Sequence, residues 1–340
     1  MNKGRYSRQE LFPGIGPQGQ QRLAEARVLI LGCGALGSAH CEMLARAGVG
    51  RLRIVDRDFV EYTNLQRQTL FKESDAEYRL PKAIAAAARI AEINSEVKVE
   101  PVVADANSSN IEEFAGGCDL ILDGTDNFEI RYLINDVAVK HGLSWIYGAA
   151  VASYGATMTI RPAETPCLRC IFPDIPEAGS TPTCDTAGVI MPVISAISAI
   201  QVSEALKLLC GRIEDLHRSL LQFDIWKADF RKITLSAPDP DCPVCGRRLF
   251  EFLSAERRDF AAVLCGRNAV QISPANAARI DLNNLADKIK FLTWTEQNDF
   301  LLRFEIDDCE ITVFPDSRAI IRGTEDIGLA RRIYAKYIGN

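Results

Sequence analysis

A glycine-rich turn between an apolar run and a helical segment constrains the fold of this 340-residue chain more than any other feature. The run Arg27-Val-Leu-Ile-Leu31 leads directly into Gly32-x-Gly34-x-x-Gly37, and residues 38–47 then follow a helical apolar spacing. A second apolar run, residues 51–55, ends just before Asp56. Strand, glycine turn, helix and strand form a βαβ unit with a right-handed crossover, which predicts a parallel sheet.

The alternation of strand and helix patterns continues along the first two thirds of the chain. Further strands are predicted at residues 97–103, 119–123, 144–147 and 154–161. A long crossover that carries prolines and cysteines, residues 162–187, precedes an apolar helix at about 189–210 and two antiparallel strands. We therefore predict an α/β fold, a Rossmann-like doubly wound sheet that is parallel in the N-terminal half, with antiparallel strands after the crossover.

The residues after the last strands of this sheet have a pattern of their own. Residues 247–340 predict a helix near 275–289, three short strands and a last helix at 324–337, which together make a small α+β domain. We find no catalytic constellation there and assign it no role. The predicted domains are residues 1–246, which would bind the nucleotide, and residues 247–340.

Composition limits the class of partner. The chain is 47% hydrophobic and 25% charged, as in soluble globular proteins, and 39 basic against 45 acidic residues give a net charge of −6. This charge provides no general basic field for nucleic acid or an anionic membrane. The polar N-terminal residues resemble neither a secretory signal nor a membrane anchor, and Gln201, Glu204 and Lys207 interrupt the apolar helix, so we expect a cytoplasmic protein.

The glycine turn and Asp56 predict a nucleotide site. Backbone N–H groups at the start of the helix would face phosphate, and the carboxylate would accept hydrogen bonds from a ribose. The same pattern is common in NAD-dependent dehydrogenases, so by itself it indicates only a nucleotide.

Cations near the glycine turn favour a triphosphate. Arg8, Arg67 and Lys82 could converge there, and a triphosphate needs more positive charge than a pyrophosphate that is held by backbone groups. Asp126 follows a neighbouring strand and could hold the magnesium that accompanies ATP. Taken singly, each of these residues fits a solvated surface charge better, and Asp126 alone fits a helix cap better, so only the whole set favours a triphosphate site.

Two C-x-x-C pairs suggest a metal site. Cys167 and Cys170 form the first pair, Cys242 and Cys245 the second, and each spacing lets two thiolates hold one tetrahedral zinc ion. The 71 residues between the pairs exceed the gap of an ordinary zinc ribbon, so a redox dithiol or unrelated turns remain alternatives. We favour one closed, structural zinc site without a catalytic role.

Cys184 lies on the crossover just before a helix, where backbone dipoles lower the pKa of a thiol. From this placement a nucleophile and an inert loop cysteine are equally compatible. Packing roles are predicted for the remaining cysteines, and structural roles for all three histidines. These residues are Cys33, Cys41, Cys118, Cys210, Cys265, Cys309, His40, His141 and His217.

A set of motifs in a fixed order supports a family resemblance. In chain order they are Arg5-Tyr-Ser-Arg-Gln9, Gly32-x-Gly-Ala-Leu-Gly37, Asn64-Leu-Gln-Arg-Gln68, Pro81-Lys82, Thr125-Asp-Asn127, the two C-x-x-C pairs and Cys184-Asp-Thr-Ala-Gly188. From about residue 5 to residue 246 the chain resembles the ThiF/MoeB adenylyltransferases, bacterial relatives of ubiquitin-activating enzymes. Trp145-Ile-Tyr-Gly148 and Phe223-Asp-Ile-Trp-Lys227 make it more similar to the thiamine thiazole branch than to the molybdopterin branch.

The resemblance implies a reaction and a set of site residues. Members use ATP and magnesium to adenylate the C-terminal Gly-Gly carboxylate of a small ubiquitin-like sulfur-carrier protein, releasing pyrophosphate. The implied nucleotide-binding residues are Gly32, Gly34, Ala35, Gly37, Asp56, Asn64, Gln66, Arg67, Lys82, Asp126 and Asn127. The implied catalytic residues are Arg8, Arg67, Lys82, Asp126 and Cys184.

Within the resemblance, Asp56 would bind the ribose, Asp126 would bind magnesium, and Arg8 would reach the ATP site of the other subunit of a homodimer. Cys184 matches a loop cysteine that forms a covalent link to the carrier in some members only. Members often have glycine where this chain has Ala35. An extra methyl group is tolerated there if the backbone angles are ordinary.

Three alternatives remain open. The carrier could be the molybdopterin-synthase subunit instead of the thiazole carrier. The chain could be an NAD-dependent oxidoreductase, or a zinc-bearing scaffold that binds a ubiquitin-like partner without catalysis. No rhodanese-like loop occurs after residue 246, so we expect a separate protein to donate sulfur.

Overall fold

The computed structural model describes residues 4–175, 184–254, 260–264, 268–274 and 279–339. The chain divides into two compact units, residues 1–255 and residues 256–340. Residues 247–254, which we assigned to the C-terminal domain, belong to the first unit. Their attachment is visible at Asp136, whose Oδ2 accepts the backbone N–H groups of Phe252 at 2.9 Å and Leu253 at 3.3 Å.

The first unit is built on one sheet of eight strands. They are β1 (Arg27–Leu31), β2 (Arg51–Asp56), β3 (Lys98–Val103), β4 (Leu120–Asp123), β5 (Trp145–Val151), β6 (Tyr154–Ile160), β7 (Ser219–Asp224) and β8 (Asp229–Thr234). The spatial order is β3-β2-β1-β4-β5-β6-β7-β8. The first five strands in this order, from β3 to β5, are parallel to one another. The last three, β6, β7 and β8, are antiparallel to their neighbours. The predicted fold class is confirmed, and the antiparallel part already begins at β6, before the crossover.

Helices cover both faces of this sheet. They are α1 (Ser7–Glu10), α2 (Gly16–Glu25), α3 (Ala35–Ala47), α4 (Glu73–Glu77), α5 (Lys82–Ile93), α6 (Ile111–Ala115), α7 (Phe128–His141), α8 (Leu168–Ile171), α9 (Cys184–Ala187), α10 (Met191–Cys210) and α11 (Glu251–Ser254). Short 3-10 turns span Tyr62–Asn64 and Ile213–Asp215. Leu120–Asp123 is buried along its whole length, as expected for a central parallel strand covered on both faces.

The sheet reverses its strand order between β1 and β4. From β1 the chain runs outward through β2 and β3 on one side, and it returns to place β4 on the other side. Loops that leave the carboxyl ends of two such strands diverge, and the crevice between them is where doubly wound folds bind ligands. The glycine turn after β1 and the turn 124–127 after β4 both lie at this point.

Helix α10 is long and apolar enough to span a membrane by length and composition, and half of its most apolar window is buried inside the unit. It packs on α2, α3, β5 and β6. Val193, Ile197 and Val202 are fully or almost fully buried in these contacts. The helix is therefore a core element of the unit, as the polar interruptions in its sequence predicted.

A buried hydrogen-bond network joins α10 to α3 and the sheet. Gln201 donates from Nε2 to the carbonyls of Asp123 at 3.1 Å and Ile146 at 3.2 Å, so its Oε1 is the acceptor for His40 Nε2 at 2.8 Å. His40 therefore carries its proton on Nε2. Burial lowers the pKa of His40 to about 4, and the ring is neutral at physiological pH.

In its described residues the C-terminal unit contains a six-stranded antiparallel sheet and two helices. Its strands are β9 (Phe260–Leu264), β10 (Ala269–Ser273), β11 (Thr295–Gln297), β12 (Leu302–Ile306), β13 (Cys309–Val313) and β14 (Ala319–Arg322), in the order β11-β12-β13-β14-β10-β9. The helices are α12 (Leu282–Ile289) and α13 (Ile327–Tyr337), each begun by an aspartate whose side chain accepts two backbone N–H groups. Part of the predicted helix at 275–289 falls on residues 275–278, which lie outside the described residues.

The neutral His40 predicts an acid-sensitive fold. An unfolded histidine ionises near pH 6.5, whereas His40 in the fold stays neutral until about pH 4, so its contribution to stability is present above pH 6.5 and is lost as the pH falls towards 4. Between pH 7.5 and 5.0 the free energy of unfolding should drop by about 2 kcal/mol more in the wild type than in His40→Asn. Denaturant titrations at both pH values measure this difference, and equal drops would contradict it.

Candidate functional site

Three glycines bring the turn after β1 against the turn after β4 without intervening side chains. Gly32 has a φ of +84°, and a Cβ built on it would lie 2.8 Å from the carbonyl oxygen of Gly124. A Cβ on Gly37 would lie 1.9 Å from the carbonyl oxygen of Gly32, and a Cβ on Gly124 would lie 2.4 Å from the same atom. No side chain fits at these positions, so the two backbones touch.

The start of α3 presents backbone donors next to this contact. Gly34 is the N-cap residue, and no side chain caps the 13-residue helix within the described part of the chain. The first N–H groups and the positive end of the helix dipole are therefore available to an anion. Ala35 is an ordinary first residue of the helix and is not among the residues with positive φ. The expectation that its methyl group is tolerated is met.

Asp56 lies beside the glycine turn and is held by two backbone donors. Its Oδ2 accepts the N–H of Cys33 at 2.6 Å, and its Oδ1 accepts the N–H of Asp58 at 2.7 Å. Burial raises the pKa of Asp56, and the charge of Lys82 opposes this effect. Each carboxylate oxygen retains a second lone pair, which suits two neighbouring hydroxyl groups such as those of a ribose.

Lys82 is a buried cation at the start of α5. Its side chain is 6% exposed, and Nζ lies 3.4 Å from Oδ2 of Asp58. Asp58 follows Asp56 by two residues, in the loop after β2, so the ammonium group lies at this end of the strand. Burial of a lysine is rare unless a carboxylate accompanies it, and Asp58 fills that role. The structure thus places one predicted phosphate ligand at the same edge of the sheet as the glycine turn.

The segment after Asp56 carries the other predicted phosphate ligands. Asn64 is buried in the 3-10 turn, and its Oδ1 accepts the N–H of Glu61 at 3.0 Å. Arg67 Nη1 donates to the carbonyl of Thr63 at 2.9 Å, which holds the guanidinium against its own turn. Gln66 is exposed. The side-chain oxygen of Asn64 therefore stabilises the turn as a hydrogen-bond acceptor.

Asn127, and not Asp126, is the N-cap of α7. The Oδ1 atom of Asn127 accepts the N–H groups of Glu129 at 2.8 Å and Ile130 at 3.4 Å. Asp126 is exposed and lies within electrostatic range of Arg57 and Arg131. The interpretation of Asp126 as a helix cap is therefore wrong, and its carboxylate remains available to a ligand. Asn127, predicted as a nucleotide ligand, uses its side-chain oxygen as the cap.

A buried ion pair that the sequence analysis missed supports the turn after β4. Arg131 donates from Nε to Oδ2 of Asp123 at 3.0 Å, and from Nη2 to the carbonyls of Thr125 at 2.7 Å and Gly148 at 3.0 Å. Asp123 is completely buried, and its other oxygen accepts the N–H of Thr125 at 2.9 Å. The pair fixes the backbone that carries Asp126. The only local signal was an aspartate at the end of an apolar run.

Arg57 is a second missed residue at this edge. Its guanidinium donates to Oδ1 of Asp105, after β3, at 3.1 Å, and it also lies near Asp58. Burial acts to lower the pKa of Arg57, but the charges of Asp105 and Asp58 outweigh it and hold the pKa above the ordinary arginine value. Arg57 thus adds a permanent positive charge beside Asp126 and Asp56.

Arg8 is not brought to the glycine turn of its own chain. It is exposed on α1, and the next residue, Gln9, donates from Nε2 to the carbonyl of Ala47 at 2.9 Å, at the C-terminal end of α3. The glycine turn is at the N-terminal end of α3, which is about 18 Å away at the usual rise of an α-helix. A side chain beside Ala47 does not cover that distance.

The four predicted metal-binding cysteines form one cluster. The Sγ atoms of Cys167, Cys170, Cys242 and Cys245 all lie within 4.8 Å of one another, with separations of 3.6 Å between Cys167 and Cys242 and 3.3 Å between Cys170 and Cys245. A tetrahedral zinc ion with Zn–S bonds of about 2.3 Å requires sulfur atoms about 3.8 Å apart. The four thiols therefore fit one tetrahedral metal ion, and the gap of 71 residues is bridged by the fold.

The environment of the cluster also favours a cation. The hydrogen bond with Cys167 lowers the pKa of Cys170 to about 5, whereas burial raises the pKa of Cys245 to about 12. The four neighbouring thiols therefore do not all ionise together without a positive charge among them. The first pair is held in place from α7, because Asn135 Oδ1 accepts the N–H of Leu168 at 2.8 Å. A redox dithiol would need only one pair, whereas both pairs converge here.

The other cysteines divide into those whose side chains the structure describes and those whose side chains it does not describe. Cys184 is the first residue of the four-residue helix α9, and its side chain, like residues 176–183 of the crossover, lies outside the described residues. Cys265 also lies outside them. The remaining predicted packing cysteines are buried or half-buried free thiols. They are Cys33, Cys41, Cys118, Cys210 and Cys309.

The sequence from residue 6 to residue 244 matches the ThiF family. The chain belongs to the ThiF family. A relative from Bacillus subtilis (strain 168), the sulfur carrier protein ThiS adenylyltransferase, is 47% identical over 338 residues. The match covers 99% of this chain and 99% of the relative. A sulfur carrier protein adenylyltransferase from Thermus thermophilus is 39% identical over 247 residues, which are 71% of this chain and 90% of the relative.

A solved structure shares the fold. The crystal structure of E. coli MccB with ATP superposes with a TM-score of 0.64 at 24% identity, covering 72% of this chain and 75% of MccB. The resemblance predicted from the motifs is thus confirmed for a ThiF-family fold. The match to the B. subtilis relative extends over both units, so the C-terminal unit is shared with that protein.

Proposed function

We propose that this ThiF-family chain is an ATP-dependent adenylyltransferase that activates the C-terminal carboxylate of a ThiS-type, ubiquitin-like sulfur-carrier protein in thiamine thiazole biosynthesis. The observation that carries the proposal is the 47% identity with the ThiS adenylyltransferase of B. subtilis over 99% of both chains. The clustered glycine turn, Asp56 and Lys82 supply a site of the required chemistry. An oxidoreductase is not favoured by any of these findings.

The reaction needs alignment and charge neutralisation more than proton transfer. The carrier carboxylate is ionised at neutral pH and attacks the α-phosphorus directly, forming the acyl-adenylate while the bond to pyrophosphate breaks. No general base is required. The barrier comes from bringing an anion to a polyanion, so preorganised cations and backbone N–H groups provide the catalysis.

The chain's own groups divide this work. We assign the phosphates to the N-terminus of α3, Lys82 and Arg67, and the ribose to Asp56. Asp126 would hold magnesium, which suits hard carboxylate oxygens and would shield the phosphate charges when it is bound. The donor set fits, because Asp126 is exposed at the carboxyl edge and does not cap α7. The Asp123–Arg131 ion pair would keep this carboxylate in position.

The catalytic unit is proposed to be a homodimer. Arg8 lies at the far end of α3 from its own glycine turn, so an Arg8 that acts on ATP must come from a second copy of the chain. The same segment exposes Leu11, at 71%, and Phe12, at 62%, which suits an interface between copies.

The cysteine cluster is assigned to one structural zinc ion. Four thiolates fill a tetrahedral shell, so no position remains for catalysis. Zinc would join the start of the crossover, at Cys167 and Cys170, to the segment that follows β8, at Cys242 and Cys245.

Other roles follow the family assignment. Cys184 is retained as the candidate for a covalent carrier link, and sulfur would come from a separate donor protein. We place the protein in the cytoplasm, where ATP and a reduced thiol cluster are maintained. The C-terminal unit has no assigned role.

The first test is carrier-dependent exchange of labelled pyrophosphate into ATP. Exchange should occur with a ThiS-type carrier and should fall at least about 100-fold in Asp126→Ala and in Arg67→Ala, because both remove charge compensation for the phosphates. Glu129→Ala is the matched control, since it removes an exposed charge three residues from Asp126, and it should retain exchange. Circular dichroism verifies the fold. Exchange without a carrier, or with the molybdopterin-type carrier only, would contradict the proposal.

The second test concerns the origin of Arg8. Arg8→Ala and Asp126→Ala should each be inactive alone, yet their co-expressed mixture should regain about a quarter of wild-type exchange, because half of the dimers are mixed and each mixed dimer has one complete site. The recovery is measured with the same exchange assay. An inactive mixture with proven mixed dimers would place Arg8 in its own subunit's site, and an active Arg8→Ala variant would place Arg8 outside the reaction.

The third test concerns the metal. Elemental analysis should find about one zinc ion per chain, and Cys170→Ser or chelation should lower the free energy of unfolding. Cys118→Ser, at a half-buried cysteine outside the cluster, should retain the zinc. The exchange rate per folded molecule should change little. A wild-type protein that is purified without any metal and is equally stable would exclude the assignment.

A further inference from the structure

A small cavity lies at the edge of the eight-stranded sheet that is opposite to the glycine turn. The pairing of β6 with β7 ends at Thr157 and Leu221, although β6 continues along β5 to Ile160 and β7 begins beside β8 at Ser219. The two strands therefore separate at this end. Ile160 lies opposite Trp145, the first residue of β5, and β5 has seven residues, a length of about 20 Å. The cavity is thus remote from the glycine turn, which follows the carboxyl end of a parallel strand.

The size of the cavity limits its occupant. Its volume is about 50 Å³. One buried water requires roughly 10–15 Å³, so the space suits about four waters or one small ion of five heavy atoms. A nucleotide or an organic cofactor requires several hundred Å³ and is excluded. The residues that line the cavity are Thr159, Arg161, Glu164, Thr165, Leu216 and Arg218.

Arg218 brings an uncompensated positive charge to this wall. It directly precedes β7 and has a φ of +47°, in the left-handed region that arginine rarely adopts. Its guanidinium forms no hydrogen bond or ion pair with the part of the chain that the structure describes. All five of its N–H donors are therefore available to a ligand.

Arg161 supplies a second guanidinium, which already has a counter-ion. The residue follows β6, and its Nη1 forms an ion pair with the carboxylate of Glu164. The side chain of Arg161 is 17% exposed and that of Glu164 is 54% exposed, so the glutamate is the more solvated partner. The Nε and Nη2 groups of Arg161 donate to none of the described residues. Two arginines and one glutamate leave the wall with one net positive charge.

The hydroxyl groups of the cavity are already engaged. Oγ1 of Thr159 donates to Oε2 of Glu204 at 3.1 Å, and Lys207 neutralises this buried carboxylate from 2.6 Å at Oε1. Oγ1 of Thr165 accepts the backbone N–H of Arg161 at 2.9 Å. The donors left for a ligand are guanidinium N–H groups, whose preferred partners are phosphate, sulfate and carboxylate oxygens.

The arrangement of the two arginines favours a tetrahedral anion over a carboxylate. Arg161 and Arg218 belong to separate segments, one after β6 and one before β7. The two oxygens of a planar carboxylate serve one guanidinium, as those of Glu164 are placed to do with Arg161. A tetrahedral ion has further oxygens for the second guanidinium, and it fits the available volume.

We propose that this cavity is an anion site that binds one phosphate or sulfate group between Arg218 and Arg161. The bound group would join the turn 161–165, which leads to Cys167, to the segment that begins β7. The site is separate from the proposed nucleotide site, and it stands or falls independently of the adenylation reaction.

Titration of Arg218→Gln with inorganic phosphate, followed by calorimetry without nucleotide or carrier, tests the proposal. The wild type should bind phosphate at a site that weakens by about 10-fold or more in this variant, because charge-assisted hydrogen bonds are lost. Phosphate bound at the start of α3 would be unaffected, because that turn lies at the other edge of the sheet.

Two further variants separate an effect on the site from an effect on the fold. Glu164→Gln should bind phosphate about 3-fold more tightly, because it removes the carboxylate that competes for Arg161. Arg51→Gln is the matched control. Arg51 is an exposed arginine at the start of β2 whose side chain likewise has no partner among the described residues, and its loss should leave the affinity unchanged. Damage to the fold would not produce opposite changes in Arg218→Gln and Glu164→Gln.

The choice of anion identifies the source of the bound group. Binding of inorganic phosphate and sulfate without glycerol phosphate would support a free ion, and binding of all three would support a phosphorylated small molecule as well. Three results would overturn the proposal: no binding of phosphate to the wild type, equal affinity in the wild type and Arg218→Gln, or acetate bound as tightly as phosphate.

Discussion

The contact between the turn after β1 and the turn after β4 is made by backbone atoms alone, and the proposed nucleotide site depends on it. Gly32, Gly37 and Gly124 each lack the Cβ that would separate the two turns. The contact brings the donor groups at the start of α3 next to the loop that carries Asp126. The proposed joint binding of a phosphate and a divalent ion therefore depends on the absence of three side chains.

Buried polar side chains next to this contact fix the position of the turn after β4 through hydrogen bonds. Gln201 donates a hydrogen bond to the carbonyl of Asp123. Arg131, which is paired with the Asp123 carboxylate, donates to the carbonyls of Thr125 and Gly148. A buried ion pair contributes little net stability, but removal of one partner leaves an unpaired charge and is strongly destabilising. Such a network defines one geometry for the turn, which is the property that a site for aligned reactants requires.

Sequence reading succeeded where the determining interactions are local. The glycine turn, the helix that follows it and the apolar runs of β1, β2 and β4 are set by neighbouring residues, so their positions could be predicted. The direction of β6 could not. It is set by the tight turn at Ala152, which adopts a φ of +52° without the asparagine or glycine that usually signals a hairpin.

Within the site, residue types were easier to predict than their partners. The thiols of the two C-x-x-C pairs were recognisable, but only the fold shows that 71 intervening residues return the second pair to the first. His40 and Gln201 are 161 positions apart, and neither carries a local sign of the other. Asp126 and Asn127 are adjacent polar residues at a helix start, and the choice between cap and ligand depends on backbone angles that the sequence does not express.

Helix α7 links the turn after β4 to the cysteine cluster. Asn127, Arg131 and Asn135 follow one another at intervals of four, so they lie along one face of the helix. The first caps the helix, the second binds the turn that carries Asp126, and the third binds the backbone beside Cys167. Asp136, the next residue, accepts the backbone N–H of Phe252 in α11, and burial raises the pKa of Asp136 to about 6. A metal ion bound at the start of the crossover would therefore stabilise the same helix that positions the turn with Asp126. It would affect the reaction by holding these residues in place, without taking part in the chemistry.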